Sequence, residues 1–486
     1  MTAPNNPRKH RLAGEQGTLA VAVRSLVRRA PIVCAERETV RRAVEIMHTE
    51  KIGAIVVVDD GQQPVGVFTE RDLIGVALQD GLEQPLVAVM TRDPVTVPGH
   101  MPAYEVAVLM TEHRFRHALI TEAGTLVGVV SERDLFALQR LGLSELTLEI
   151  RLARDVEAVA RLADRVRQLI RLLVGQGVAA EHLTQYMSVL NDLVCQRIID
   201  LVRKGYHWDR ISWCWLAFGS EGRLEQTFAT DQDNGLIFEA HAGAGVGSTR
   251  GQLLPFARAV NEALDECGYP LCPGGVMASN PEFCLSTSEW RAKLGGWVDE
   301  SDPQALLRAA ICLDFRALHG DARLATDLRD GFLGVARKRQ TFLRLLAEQA
   351  LQARPPLGRW RDFTTEDVPD APGTMDLKRY GLSPFVDCAR VLALANGVPY
   401  TSTAERLRGA ATAGALTRAR ATASVAAFFF IQRIRLLHQA RLEALTPERA
   451  NRIDPEDLNE LDRRTLKAAF RIGRDLQQRL ALDYQL

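Results

Sequence analysis

Two aspartates one residue apart, Asp231 and Asp233, follow a Gly219-Ser220 pair in the segment AFGSEGRLEQTFATDQDNGLIF, residues 217–238. The aspartates are expected to enter a strand, where side chains alternate, so both carboxylates share one face and Gln232 takes the other. Such a pair repels unless a cation lies between its members, and divalent cations are what in-line attack on a nucleoside triphosphate requires. One ion would activate the attacking oxygen and a second would hold the departing pyrophosphate. Gly219 and Ser220 form a turn that a triphosphate can approach closely. Arg223 stands where a guanidinium would meet phosphate oxygens. A third carboxylate is expected from a neighbouring strand. Asp314, in the apolar run Ile311-Cys312-Leu313-Asp314-Phe315-Arg316, is the candidate, as metal ligand or as general base. Most D-x-D pairs are merely exposed strand ends. This one comes with its turn, its spacing and its flanking strands.

A second chemistry repeats near the N-terminus. Gly66-Val67-Phe68-Thr69-Glu70-Arg71-Asp72 and Gly128-Val129-Val130-Ser131-Glu132-Arg133-Asp134 mark the same point of a duplicated unit. In each, a hydroxyl and then a carboxylate surround a helix start, where backbone N–H groups favour phosphate and the carboxylate can accept from ribose hydroxyls. Helix capping accounts for the same residues, and the two readings are compatible. Thr69, Asp72, Ser131 and Asp134 are therefore candidate nucleotide-binding residues.

The elements that must position these groups can be read from pattern. Residues 24–80 and 87–140 follow one script: a Pro-led extended segment, a helix, an apolar strand and a strand-to-helix junction. Residues 1–23 read as a flexible N-terminus. Residues 141–208 contain no proline and carry helical periodicity, which predicts a helical connector. Between 209 and 325, strands such as ISWCWLAF and NGLIFEA alternate with helical segments, the mark of an α/β or α+β catalytic-type domain. From 326 to 486 the pattern is helical, and the apolar window Ala421 to Ile434 reads as a buried helix.

The composition fits such a multidomain chain. At 486 residues it exceeds one hydrophobic core. Hydrophobic residues make up 47% and charged residues 25%, as in ordinary globular proteins. Lys plus Arg and Asp plus Glu both total 60, which argues against a chain built to coat nucleic acid or an anionic membrane. Its eight cysteines include no C-x-x-C pair, and Cys267, Cys272 and Cys284 match no zinc-site spacing, so reduced thiols and a cytoplasmic location are expected. The polar N-terminus lacks the apolar run of a signal peptide, and no stretch is long and apolar enough to span a membrane.

The G-h-x-[ST]-x-x-D ending of each N-terminal copy resembles the paired cystathionine-β-synthase (CBS) domains. That resemblance implies clefts for AMP, ADP or ATP, a regulatory role and further pairing into a homodimer. The segment from Gly219 to Asp233 resembles the nucleotidyltransferase superfamily, with polar Gln232 where that signature is apolar. Through G-S-x-G-R-x-E, D-Q-D-N, Cys272-Pro273-Gly274-Gly275-Val276-Met277 and Asp314-Phe315-Arg316, the chain resembles a bacterial family of CBS-domain nucleotidyltransferases related to the PII-protein uridylyltransferases. Asp376-Leu377-Lys378, Thr403-Ala404-Glu405-Arg406-Leu407 and Arg433-Ile434-Arg435-Leu436 are similar to its substrate-binding helices, making Lys378 and Arg406 candidates for substrate contact.

The expected architecture is thus a tandem CBS pair, a mixed-sheet nucleotidyltransferase-like domain and a helical C-terminal domain. The implied activity is transfer of a nucleoside monophosphate from a triphosphate, with Mg²⁺ or Mn²⁺, to a protein or small-molecule acceptor, regulated by adenosine nucleotide. No His-Asp dipeptide occurs, so the phosphohydrolase half of the uridylyltransferases is not expected. The rival reading is a non-catalytic nucleotide sensor that keeps the nucleotidyltransferase scaffold as a surface for a signalling partner.

Overall fold

The computed structural model describes residues 22–486 except 28, 51, 62, 78–80, 102, 104–105, 107–108, 111–114, 116, 124, 132–142, 144, 209–210, 241–244, 300–309, 359–362, 370 and 443–445. Asp134, the helix expected after Ser131 and nearly all of 1–23 therefore lie outside the described residues. The chain divides into two compact units after Leu146.

The first unit confirms the duplication. Strand β1 (Val33–Ala35) pairs in parallel with β2 (Ala54–Val58), which pairs antiparallel with β3 (Pro64–Thr69), and β3 with the short β4 (Thr91–Arg92). The second copy repeats this with β5 (Thr96–Pro98) parallel to β6 (His117–Glu122) and β7 (Thr125–Ser131) antiparallel to β6. Helix α1 (Val40–Glu50) buries Val40, Ala43 and Met47 against Ile55, Val57 and Phe68. Alternate residues Val56, Val58 and Val67 face the other way and meet Leu119 of the second copy. Both faces are covered, which is why AIVVV reads as a continuous apolar run. Helix α2 (Glu70–Ala77) begins directly after β3.

In the second unit, helices α3 (Val156–Gly175) and α4 (Ala180–Arg203) pack together, α3 started by Asp155 accepting from Ala158 N–H. A four-stranded mixed sheet follows, in the order β10-β9-β8-β11. Its members are β8 (Trp213–Ala217), β9 (Asn234–Phe238), β10 (Cys284–Ser286) and β11 (Arg316–Gly320). β9 is antiparallel to β8 and parallel to β10, and β11 is antiparallel to β8. A single turn, α5 (Gly219–Gly222), follows β8, and α6 (Val246–Glu266), α7 (Thr287–Asp299) and α8 (Ala322–Ala336) flank the sheet.

Beyond these come α9 (Gln340–Ala350), α10 (Ser383–Ala395), α11 (Thr403–Thr412), α12 (Arg418–Arg441) and α13 (Glu460–Tyr484). The apolar window Ala421 to Ile434 is part of α12, as expected. α10 is buried along nearly its whole length, the core of the helical region.

The structure adds detail to the expected domain picture. α3 and α4 are not a free connector: α4 packs on α6 and α12, and polar Ser188 and Asn191 on its inner face are buried in the same unit as the sheet. The C-terminal region is helical as expected, with the short strands β12 (Glu366–Val368), β13 (Ala371–Asp376) and β14 (Arg452–Ile453) pairing within it. The expected boundary at 325 falls inside α8, and one hydrophobic core runs from Leu216 and Phe218 of the sheet region to Phe385, Phe428 and Phe470 of the helices.

Candidate active site

β8 delivers the chain to Phe218, whose N–H donates to Asp233 O at 2.9 Å and so ties the Gly-Ser turn to the aspartates. Gly219 has φ +54°, and a Cβ there would lie 2.7 Å from Asp233 Oδ2. Only glycine meets both demands. Gly222 is equally constrained, since a Cβ would sit 1.8 Å from Asp314 O.

Asp231, Gln232 and Asp233 immediately precede β9 rather than lying within it, yet the alternation of burial holds. Gln232 turns inward, donating to Asn261 O at 2.9 Å and Tyr269 O at 2.8 Å, while the aspartates are half-buried on the other side. A carboxylate oxygen of each and Cys272 Sγ all lie within 4.8 Å of one another. Burial and then the neighbouring charge of Asp231 push the Asp233 carboxyl up to about 6. This donor set, with Asp233 against Gly219, fits a divalent cation.

Asp314 is not part of that set. It lies in a turn before β11, not on a strand, is fully buried, and is gripped by three guanidinium groups. Arg390 binds it through Nε at 3.0 Å and Nη2 at 2.7 Å, Arg406 through Nη1 at 2.6 Å and Arg223 through Nη1 at 2.8 Å. Burial alone would raise its pKa, but Arg390 and then Arg406 overcome that and hold the carboxyl far below the usual range. With its lone pairs so engaged, Asp314 neither ligates a cation nor takes a proton. Arg406 is corrected with it: 3% exposed, it donates to Asp314 and to Tyr400 O, a structural role rather than a substrate contact. Arg223 spends Nε on Glu225 and Nη1 on Asp314, so the expected triphosphate contact is not its main work.

Lys378 lies within electrostatic range of the aspartates. It sits on a wide π-helical turn, Leu377–Leu382, capped by Asp376 accepting from Arg379 N–H at 2.9 Å. Its side chain is exposed, yet the surrounding protein partly desolvates the ammonium. That desolvation, then the like charge of Arg435, lowers its pKa, while Asp231 and Asp233 act the other way. Arg435 is 5% exposed and held by Asn451 Oδ1 at 2.7 Å; burial pushes it down to about 10. Lys378 thus interacts electrostatically with the acidic pair, and Arg435 with Lys378.

A small polar cavity beside Asp231 is lined by Glu221, Asn191, Gln226 and Tyr269, among others. Tyr269 donates to Asn191 Oδ1 at 2.8 Å, and Asn191 to Gln226 Oε1 at 3.3 Å. Glu221, 8% exposed, is pushed up to about 8 by burial and then by Asp192. Its folded value lies above the ordinary carboxyl value, so the stability it confers is complete below the ordinary value and lost as pH rises through about 8. Glu221→Gln is therefore expected to gain on the wild type between pH 5 and 9 by on the order of 2–4 kcal/mol. Thermal melts across that range check it, and parallel profiles would mean that Glu221 is not the group ionising.

In the first unit the structure brings Thr69 and Asp72 together: Thr69 donates from N–H at 2.9 Å and from Oγ1 at 2.8 Å to Asp72 Oδ2. This is a helix-start capping contact. A nucleotide engaging either group would exchange it for this bond. Ser131 ends β7 at the matching place.

Arg390, Glu221 and the proximity of Cys272 to the aspartates were not signalled. Arg390 looks like any helix arginine, and Glu221 is a variable position of the turn motif. Cys272 had one usable signal, its place in the CPGGVM motif.

Residues 164–304 match the family described as "Putative nucleotidyltransferase DUF294", residues 340–484 the "Putative nucleotidyltransferase substrate binding domain", and residues 23–78 and 86–140 the CBS domain. The chain belongs to the CBS-domain family and carries the paired DUF294 domains. The DUF294 matches cover the Gly219 turn, both aspartates, Cys272, Lys378 and Arg435. Among curated relatives, the uncharacterized protein YlbB of Bacillus subtilis is 36% identical over 105 residues, 21% of this chain and 71% of that protein. An uncharacterized 17.7 kDa protein of Acidianus ambivalens is 33% identical over 98 residues, 20% of this chain and 60% of that one. A solved CBS-domain containing protein of Agrobacterium tumefaciens is 31% identical, covering 25% of this chain and 95% of its own, at a TM-score of 0.24. One of Pyrobaculum aerophilum, solved with AMP, is 29% identical over 24% of this chain and 89% of its own, at a TM-score of 0.23. Among the described residues no helix is long and apolar enough to cross a membrane.

Proposed function

We propose that this protein is a metal-dependent nucleotidyltransferase whose activity responds to AMP, ADP or ATP at its CBS pair. The observation that carries the reading is the Asp231–Asp233 pair, packed against the Gly219 turn with Lys378 in electrostatic range. Asp231 and Asp233 would hold Mg²⁺ or Mn²⁺, which supplies charge neutralisation at the phosphates and activation of the attacking oxygen. Gly219 and Ser220 leave backbone room for the triphosphate. Lys378, with Arg435 behind it, places positive charge where pyrophosphate would depart. Gln232 and Asn261 fix the segment from inside, Asn261 donating to Gln232 Oε1 at 2.7 Å and Asn234 Oδ1 at 3.1 Å. The acceptor is a protein, in the manner of the PII uridylyltransferases, or a small molecule.

The test is incubation of the full-length protein with each α-labelled nucleoside triphosphate, Mg²⁺ or Mn²⁺ and a cell extract, with and without added AMP, ADP or ATP. Label on a discrete acceptor, changed roughly 5- to 150-fold by one adenosine nucleotide, is the expected result. Absence of both labelling and triphosphate binding under every metal would sink the reading.

A further inference from the structure

Of the eight cysteines, seven are buried and Cys272 alone is half-exposed. Its thiol donates to Asp233 Oδ1 at 3.5 Å, and its sulfur belongs to the same cluster of ligand atoms as the two aspartates. Its position is fixed from both sides. Gln232 N–H donates to Pro270 O at 3.0 Å before it, and Asn234 N–H to Val276 O at 3.0 Å after it, so the loop is knitted to the segment that carries the aspartates. Between these ties the chain turns tightly, with Gly275 at φ +67° and its N–H donating to Cys272 O at 2.9 Å. The thiol is thus held at the acidic pair by backbone bonds independent of any ligand.

We propose that Cys272 is a third protein ligand at the cation site formed by Asp231 and Asp233, and that its sulfur lets the site hold thiophilic divalent ions such as Zn²⁺ or Co²⁺ besides the Mg²⁺ or Mn²⁺ that the carboxylates suit. The inference rests on the proposed reading of the aspartates as a cation site. A thiolate selects softer ions, whereas carboxylates alone suit Mg²⁺ or Mn²⁺. On binding, the sulfur exchanges its proton, released to solvent, for the metal bond. The set differs from the Cys267, Cys272 and Cys284 grouping that the sequence spacing had ruled out: only Cys272 belongs to it, and its partners are oxygens.

The probe is Co²⁺, titrated anaerobically into the reduced full-length protein, with binding followed by calorimetry and by the thiolate-to-cobalt charge-transfer absorption. Wild type is expected to show the band. Cys272→Ser and, separately, the Asp231→Asn/Asp233→Asn pair are expected to lose it, with circular dichroism confirming that both remain folded. Zn²⁺ should displace Co²⁺ from wild type, and Cys272→Ser should weaken Zn²⁺ binding roughly 10- to 100-fold while leaving Mg²⁺ binding unchanged. Co²⁺ binding without the band would overturn the Cys272 assignment yet leave the aspartate site standing. A band that survives in Cys272→Ser or in the aspartate double variant would place the thiolate elsewhere and equally overturn it. No binding of Co²⁺, Zn²⁺ or Mg²⁺ at all would remove both this inference and the proposed function.

Discussion

Asp314→Ala is expected to destabilise the larger unit by roughly 3–5 kcal/mol or more, because it strands buried guanidinium groups without a counter-charge. That corresponds to a fall in melting temperature of about 5–15 °C. Arg406 suffers most, since its other bond is only to Tyr400 O, whereas Arg223 keeps Glu225 and Arg390 keeps Asp387. Asp314→Asn keeps the shape but not the charge and should lie close behind. The pH dependence has a definite sign. A carboxyl held far below its ordinary value contributes stability that is present above the ordinary value and lost as pH falls below it. Acid should therefore narrow the gap between wild type and Asp314→Asn. Melting curves with Mg²⁺ or Mn²⁺ affinities separate this role from the one expected from sequence: a metal ligand would lose affinity and keep its melting temperature.

The Asp231→Asn/Asp233→Asn variant is expected to do the opposite. These carboxylates are half-buried, repel one another and have no cationic side chain bonded to them among the described residues, so neutralising them removes repulsion and leaves the fold intact or slightly more stable. Metal-dependent triphosphate binding should disappear, and transfer should fall by about 10³-fold or more, the equivalent of several kcal/mol of transition-state stabilisation. Calorimetry with a non-hydrolysable triphosphate, with and without Mg²⁺, checks the binding. Triphosphate affinity that stays metal-dependent in the double variant would refute the site.

Where the sequence was legible, local spacing carried the information. The duplicated strand-to-helix junctions, the Gly219 turn and the alternation across Asp231, Gln232 and Asp233 all arise within a few residues of chain. Asp314 was misread because an aspartate in an apolar run is equally compatible with a strand and with a buried ion pair. What decides between them are Arg390 and Arg406, 76 and 92 residues further on. The contribution of α4 was hidden for the same reason. Its periodicity shows a helix, but not that Asp192 meets Arg316 at 2.6 Å across 124 residues or that Asn191 reaches Tyr269. Strands β12 and β14 have too few residues to produce a pattern, and β13 carries Pro372 and Gly373, which read as breakers.

The way Glu225 is used bears on how such proteins can be cut and recombined. Its carboxylate accepts from Arg223 Nε on one side and, at 2.6 Å, from Thr403 N–H at the start of α11 on the other. The loop after the Gly219 turn is thus moulded by a helix that begins 178 residues later. The two DUF294 segments, though recognised separately, are not interchangeable parts. A chimaera that took its first segment from this chain and its second from a distant homologue would inherit the motif without the scaffold that shapes it, unless the arginines at 390 and 406 and the helix start at 403 travelled with it.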